Sequence, residues 1–313
     1  MNNEVLNYNS ILDNCGVGKA PASVVVKNLA NLEEFYDSAE LVSIYNYCLL
    51  NIEDPEVLVQ VIKFTDAHRA ASTLAILLEL LQIKTDDESD VDLDSLINVR
   101  AMCAKAISNY KDTSTVTVLL DCLNNKKENY KVRLACADAL GRIGDKYAVK
   151  PLIDLVEDDD EKSVYLKESA TFALGLLGDT SAIDPLVAIL ESKQGFLDKF
   201  TFLKEKIVEA LGKLNFHNKK VLKALKSSLM DPSPIVRINA IEAIMNSGDD
   251  DSVALIRPSL SDDDDEVKKN ALIALYNLKG RDILDEVLNL PIYSEFLKSE
   301  AQSLMDEYED CDE

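Results

Sequence analysis

The chain has 313 residues, with 56 acidic and 33 basic side chains and a formal charge of −23 when both histidines are neutral. That excess of carboxylates excludes a phosphate-binding surface covering the molecule and disfavours anionic membranes, so neither nucleic acid nor a membrane is an expected partner. Apolar residues make up 47% of the chain, enough for a large core, while the absence of Trp and the presence of only His68 and His217 narrow the catalytic and metal chemistry.

In chain order, Met1-Asn2-Asn3-Glu4 shows no basic stretch before an apolar run, and no apolar run approaches the length of a bilayer span. A cytoplasmic protein is expected, with residues 1–20 frayed. Ser23–Ala30 with Ser38–Leu50, and Pro55–Phe64 with His68–Gln82, read as two helical pairs, so 21–84 forms two divergent repeats. Residues 85–98 then read as an acidic loop, dominated by Asp86, Asp87, Glu88, Asp90, Asp92 and Asp94.

Six segments align from Val99 onward, beginning at Val99, Val132, Leu166, Leu203, Val236 and Val267. Each opens on an apolar residue, often followed by Arg or Lys, and runs through small residues to an Ala-Leu or Ala-Ile pair. Those spacings put the apolar positions on one helical stripe. Gly144-Asp145, Gly178-Asp179 and Gly248-Asp249 then supply a left-handed stop and a cap for a second helix, with Pro151, Pro185 and Pro258 near its first turn. Gly141, Gly175 and Gly212 are expected where the two helices of a pair approach closely. A hairpin of this size cannot bury its apolar face alone, so the units must stack.

The motif AL-G-x-(I/L)-G-D, then A-(V/I)-x-P-L, then acidic residues and V-R, resembles HEAT repeats of the phycobilisome bilin lyase (PBS lyase HEAT-like) type. It is clearest over Val132–Leu190 and weakest over Val267–Phe296. The resemblance implies an all-α, right-handed solenoid of about eight hairpins, the first two degenerate. The array spans 99–298, and an acidic tail follows at 299–313.

Deoxyhypusine hydroxylase resembles this chain in size and repeat type, but its di-iron site requires His-Glu pairs. His68-Arg69 and His217-Asn218 supply none, which excludes that activity. Zinc fails similarly, since Cys15, Cys48, Cys103, Cys122, Cys136 and Cys311 form no close pair in sequence and read as packing residues. Repeat-type DNA glycosylases line their groove with basic and aromatic residues, which this acidic chain without Trp does not offer. The acidic runs Asp158–Glu161, Asp249–Asp251 and Asp262–Glu266 lack the glycine of a calcium loop and read as solvated, capping turns. No catalytic, cofactor or metal residue is expected.

One stretch departs from the rest. Lys193–Lys226 carries nine lysines against Asp198, Glu205 and Glu209, together with Phe196, Phe200, Phe202 and Phe216. Phe196, Lys199, Phe200, Lys204, Lys219, Lys220 and Lys226 form a candidate basic and aromatic patch for an acidic partner or a second copy of the chain. Association of the second kind would be salt-sensitive. The competing reading places the phenylalanines in the core and the lysines on a solvated face.

Aligning the second helices puts Thr117, Lys150, Asp184, Lys223, Arg257 and Asp285 in one column, one per repeat. With second helices expected on the concave side, this mixed-charge column is the candidate partner-binding ridge. The expected function is a non-catalytic protein-interaction scaffold. The alternative is a bilin lyase-like accessory or chaperone subunit acting on a chromophore-bearing protein.

Overall fold

The computed structural model describes residues 6–83, 93–191, 201–214, 218–246 and 251–311. Its backbone falls into two units, Met1–Pro151 and Leu152–Glu313. Unit 1 contains α1 (Tyr8–Cys15), α2 (Ala22–Ala30), α3 (Ser38–Asn51), α4 (Pro55–Phe64), α5 (Ala71–Leu81), α6 (Leu93–Tyr110), α7 (Val116–Asn124) and α8 (Tyr130–Ile143). The division falls inside α9 (Val149–Glu157). Unit 2 contains α10 (Val164–Leu177), α11 (Ile183–Glu191), α12 (Thr201–Leu214), α13 (Lys219–Ser228), α14 (Pro234–Asn246), α15 (Ser252–Ile256), α16 (Asp265–Lys279), α17 (Asp282–Asn289) and α18 (Glu295–Cys311).

Within each unit the first helices of successive hairpins stack on one another, α2–α4–α6–α8 in unit 1 and α10–α12–α14–α16–α18 in unit 2. Each second helix packs against the first helix that follows it: α3 on α4, α5 on α6, α7 on α8, then α11 on α12, α13 on α14, α15 on α16 and α17 on α18. Both units are all-α solenoid stacks. The aligned apolar residue that opens each repeat is buried in every case, as Val99, Val132, Leu166, Leu203, Val236 and Val267. Between the layers lie Leu77, Leu81, Ile107, Leu119, Leu123 and Leu140, all fully enclosed. Truncating one such leucine to alanine costs about 2–5 kcal/mol.

The stop between the helices of a hairpin works through its glycine and aspartate. Gly144 and Gly178 adopt φ of 85° and 68°, and the Asp145 and Asp179 carboxylates accept from the amides of Tyr147 and Ser181 at 2.9 Å. These aspartates cap short 3-10 turns, Lys146–Ala148 and Thr180–Ala182, that lead into α9 and α11. In the preceding repeat Lys111 occupies the glycine position at φ 54°, a conformation that costs a residue with a β-carbon about 1–2 kcal/mol. Gly248-Asp249 lies outside the described residues.

The basic residue after each opening apolar position has a role that its recurrence alone did not disclose. Arg100 Nε donates to the Leu81 carbonyl at the end of α5 (2.9 Å), and Arg133 Nε donates to Leu123 O in the last turn of α7 (2.8 Å). Lys167 Nζ donates to Val156 O and Asp158 O at the end of α9. The last carbonyls of a helix have no intrahelical donor and carry partial negative charge, so a buried cation there satisfies both. Arg100 also makes a bidentate pair with Glu128 at 2.9 and 2.6 Å, both side chains nearly enclosed. These three repeats thereby fasten the end of the helix before them.

Several expectations move. Residues 8–15 are helical rather than frayed, because Ile11, Leu12 and Cys15 are buried and Asn7 and Gly16 close the two ends. Residues 93–98 belong to α6 rather than to an acidic loop, with Ile97 buried; 85–92 lie outside the described residues. Residues 299–311 belong to α18, which buries Leu297 and Ala301 against α16 and α17 rather than trailing as a tail. The glycine close approaches are between first helices of neighbouring repeats, not between paired helices. A β-carbon on Gly175 would stand 3.1 Å from the Ala210 backbone, and one on Gly212 would stand 2.5 Å from the Ala243 side chain.

Candidate functional site

All six ridge residues are exposed. Thr117 and Lys150 belong to unit 1, and Asp184, Lys223, Arg257 and Asp285 to unit 2. In unit 2 three of the four ridge charges are engaged with the neighbouring repeat, while Asp285 lies 4.0 Å from Arg281 of its own repeat. Asp184 meets Lys220 at 2.7 Å, and Lys223 meets Glu191 at 3.0 Å, both joining α11 to α13. Arg257 pairs with Glu286 on α17, which also accepts from the Tyr293 hydroxyl at 2.9 Å. The hydrogen bond from Arg257 holds the Glu286 carboxyl below its ordinary range. Pairs this exposed contribute about 0–1 kcal/mol each, so an incoming partner can replace them at little cost.

The basic and aromatic patch does not assemble as one surface among the described residues. Lys204 is largely covered and faces Asp231 at 3.4 Å, whereas Lys219, Lys220 and Lys226 lie exposed on α13. Phe196, Lys199 and Phe200 lie outside the described residues. Phe202 is 67% exposed, so it does not fill the core as the competing reading placed it.

Sequence reasoning missed the first-helix faces. In unit 1 a groove of about 780 Å³ runs across α4, α6 and α8. Its floor includes Val59, Met102, Leu134 and Ala135, and its charged lining is Glu56, Lys105, Lys131, Asp138 and Arg142. The concavity described in unit 1 therefore opens on first helices, where the ridge argument assumed second helices.

The register that supplies this groove is filled differently in unit 2. Phe172 of α10 lies under the ammonium groups of Lys206 and Lys213 of α12, at 5.7 and 5.0 Å from its ring centre. Glu209 bridges the same two lysines at 2.8 and 2.6 Å. Burial alone would raise the Glu209 carboxyl, but the bonds from Lys206 and Lys213 outweigh it and hold it low. Beside them, burial raises Glu168, with the Glu205 charge adding to the effect, and burial also raises Glu205.

The remaining reactive groups have structural surroundings. His68 Nδ1 lies 2.9 Å from the Ser38 hydroxyl and its Nε2 lies 3.7 Å from Glu33, tying the loop before α5 to the start of α3. His217 lies outside the described residues. Burial pushes the thiols of Cys48 and Cys103 up to about 12, far from thiolate reactivity. Among the acidic runs, Asp264 caps α16 and Asp262 pairs with Arg237 at 2.7 Å. Among the described residues no group of three or more His, Cys, Asp or Glu side chains gathers as a metal site, and no helix is long and apolar enough to cross a membrane.

Comparison with known proteins adds the following. The HEAT repeats model matches residues 92–166 and 197–276, and the PBS lyase HEAT-like repeat model matches 166–192, together more than half of the chain. No curated protein matches the sequence. Among solved structures, a chain of the Kap95p–RanGDP complex superposes with a TM-score of 0.60 at 13% identity, over 98% of this chain and 47% of that one. The YibA protein of E. coli superposes with a TM-score of 0.52 at 13% identity, over 97% of this chain and 99% of YibA. The phycocyanin lyase complex of CpcE and CpcF from Nostoc gives a TM-score of 0.45 at 19% identity, over 92% and 95%, too loose a fit to bear on function.

Proposed function

Since the chain belongs to the HEAT-repeat proteins, with a repeat of the PBS lyase HEAT-like type, we propose that it is a non-catalytic protein-interaction scaffold. The observation that carries this reading is the ridge. One exposed side chain recurs at the same register of the aligned repeats, on helices held by buried packing, so within each unit spacing is fixed while chemistry varies. Such a surface engages a polar protein partner through one or two side chains per repeat. Its unit 2 charges are already paired at the surface, so binding there exchanges exposed ion pairs rather than uncovering buried charge.

The test is charge reversal of Lys150, Lys223 and Arg257 to Glu, with helicity and melting temperature checked first. Affinity capture from the native cell should lose its major partners with the reversed protein. Recovery of the same partners at the same occupancy would remove the ridge. The lyase-like alternative has its own readout: a bilin absorbance band that stays with the protein through gel filtration would favour it over a scaffold.

A further inference from the structure

We propose that the first-helix groove of unit 1 binds an extended acidic peptide segment of a partner protein. The proposal rests on the scaffold reading but on a different surface from the ridge, so either can fail alone.

Lys105 of α6 and Lys131 and Arg142 of α8 line the groove, are exposed, and make no side-chain ion pair among the described residues. Other exposed lysines of this chain also lack an ion pair, but here three such cations gather along one groove, whereas Lys220, Lys223 and Arg257 are engaged by Asp184, Glu191 and Glu286. Opposing them in the groove are Glu56 and Asp138, and Asp138 is engaged in an interaction of its own. At physiological salt the screening length is about 8 Å, so these nearby cations outweigh acids elsewhere on the chain in setting the field a short ligand meets.

The shape of the groove also suits an extended chain. The groove crosses three stacked helices, and at about 8–10 Å between neighbouring axes it is about 16–20 Å long. That length matches about five or six extended residues at about 3.3 Å each. Alternate side chains of an extended strand face opposite ways, so every second residue can meet the apolar floor of Val59, Met102, Leu134 and Ala135. The intervening acids then reach the cations on the rim. A long polyanion is disfavoured, because past the groove it meets the acidic remainder of the chain.

The experiment uses the full chain and a fluorescein-labelled peptide alternating leucine with aspartate, read by anisotropy. Binding is expected to weaken at least tenfold in the triple variant Lys105→Gln, Lys131→Gln, Arg142→Gln, and to weaken as salt rises. The double variant Lys27→Gln, Lys279→Gln, which removes exposed lysines of α2 and α16 that do not line the groove, should bind as the parent does. A peptide with asparagine replacing aspartate should bind at least tenfold more weakly. The proposal is overturned if the groove triple binds unchanged, if the asparagine peptide binds equally, or if a single-stranded oligonucleotide competes better than unlabelled acidic peptide. The Gln changes are at exposed positions, and an unchanged melting temperature separates lost binding from lost fold.

Discussion

The first-helix faces of the two units begin from the same repeat register and end with opposite electrostatics. In unit 1, Lys105 and Asp138 stand where unit 2 has Phe172 and Glu209, and Arg142 stands where unit 2 has Lys213. The unit 2 residues neutralise one another: Glu209 holds both lysines, and Phe172 receives them on its ring. Lys105 and Arg142 instead remain available beside an open groove. A repeat fixes where side chains project, and two or three substitutions at those positions decide whether the surface satisfies itself or is left to satisfy something else.

The same contrast holds for the basic residue that follows the opening apolar position, and it provides the largest expected effect. Arg100 is enclosed and bidentate to Glu128 at 2.9 and 2.6 Å, whereas Lys204 faces Asp231 at 3.4 Å. Arg100→Ala leaves Glu128 without its counter-charge and Leu81 O without a donor, so denaturant unfolding should show a loss of about 3–5 kcal/mol. Lys204→Ala, which breaks a longer bond to a charged group, should lose less, about 1.5–3 kcal/mol. Equal losses would mean that the two positions are not the different solutions their geometry describes.

A middle-sized effect comes from the acids of the unit 2 face. Burial raises the carboxyls of Glu168 and Glu205, so the folded state favours their protonated form. Their charge therefore opposes folding above the raised folded-state pKa, and the penalty fades as pH falls through it toward the unfolded value. Glu168→Gln should accordingly raise the melting temperature at neutral pH and leave it nearly unchanged in acid. Glu209→Gln should do the reverse. Its carboxyl is held low, so it contributes stability above the unfolded pKa, and that contribution disappears as pH falls through the folded value. Melting curves of the two variants against the parent from neutral to acid pH would check both signs.

The smallest expected effect is in unit 1. Lys111→Gly should relieve the left-handed strain that Gly144 avoids in the next repeat, offset by the greater freedom of glycine in the unfolded chain and by the lost bond from Lys111 Nζ to Arg142 O. A net gain of up to about 1 kcal/mol in thermal unfolding is expected. A net loss would show that the Lys111–Arg142 contact outweighs the backbone strain.

The hairpins were legible because their signals are local. Val132, Cys136, Ala139 and Leu140 repeat at helical spacing, Gly144-Asp145 stops the chain, and Pro151 sits near the start of the next helix. The exposure of the ridge column was legible for the same reason, since periodicity alone places Lys223 away from the buried Val221 and Leu225. The partners of those residues were not legible. Lys223 meets Glu191 and Arg257 meets Glu286 across 32 and 29 residues of chain, at distances set by how one hairpin stacks on the next. Phe202 shows the limit in the other direction. Its composition suggested a core residue, but it directly precedes the buried Leu203 and falls on the far side of the same turn.

By itself, then, the amino-acid sequence determined the excess of negative charge, the all-α class, the hairpin repeat and the positions that must be buried. Each of these follows from residue types and spacings within a turn or two of helix. Only the tertiary structure decided which charges cancel, which glycines touch the neighbouring repeat, and that unit 1 opens a groove on its first helices with three cations on its rim. Those outcomes depend on the approach of side chains roughly one repeat apart in sequence, and packing, not local periodicity, sets that distance.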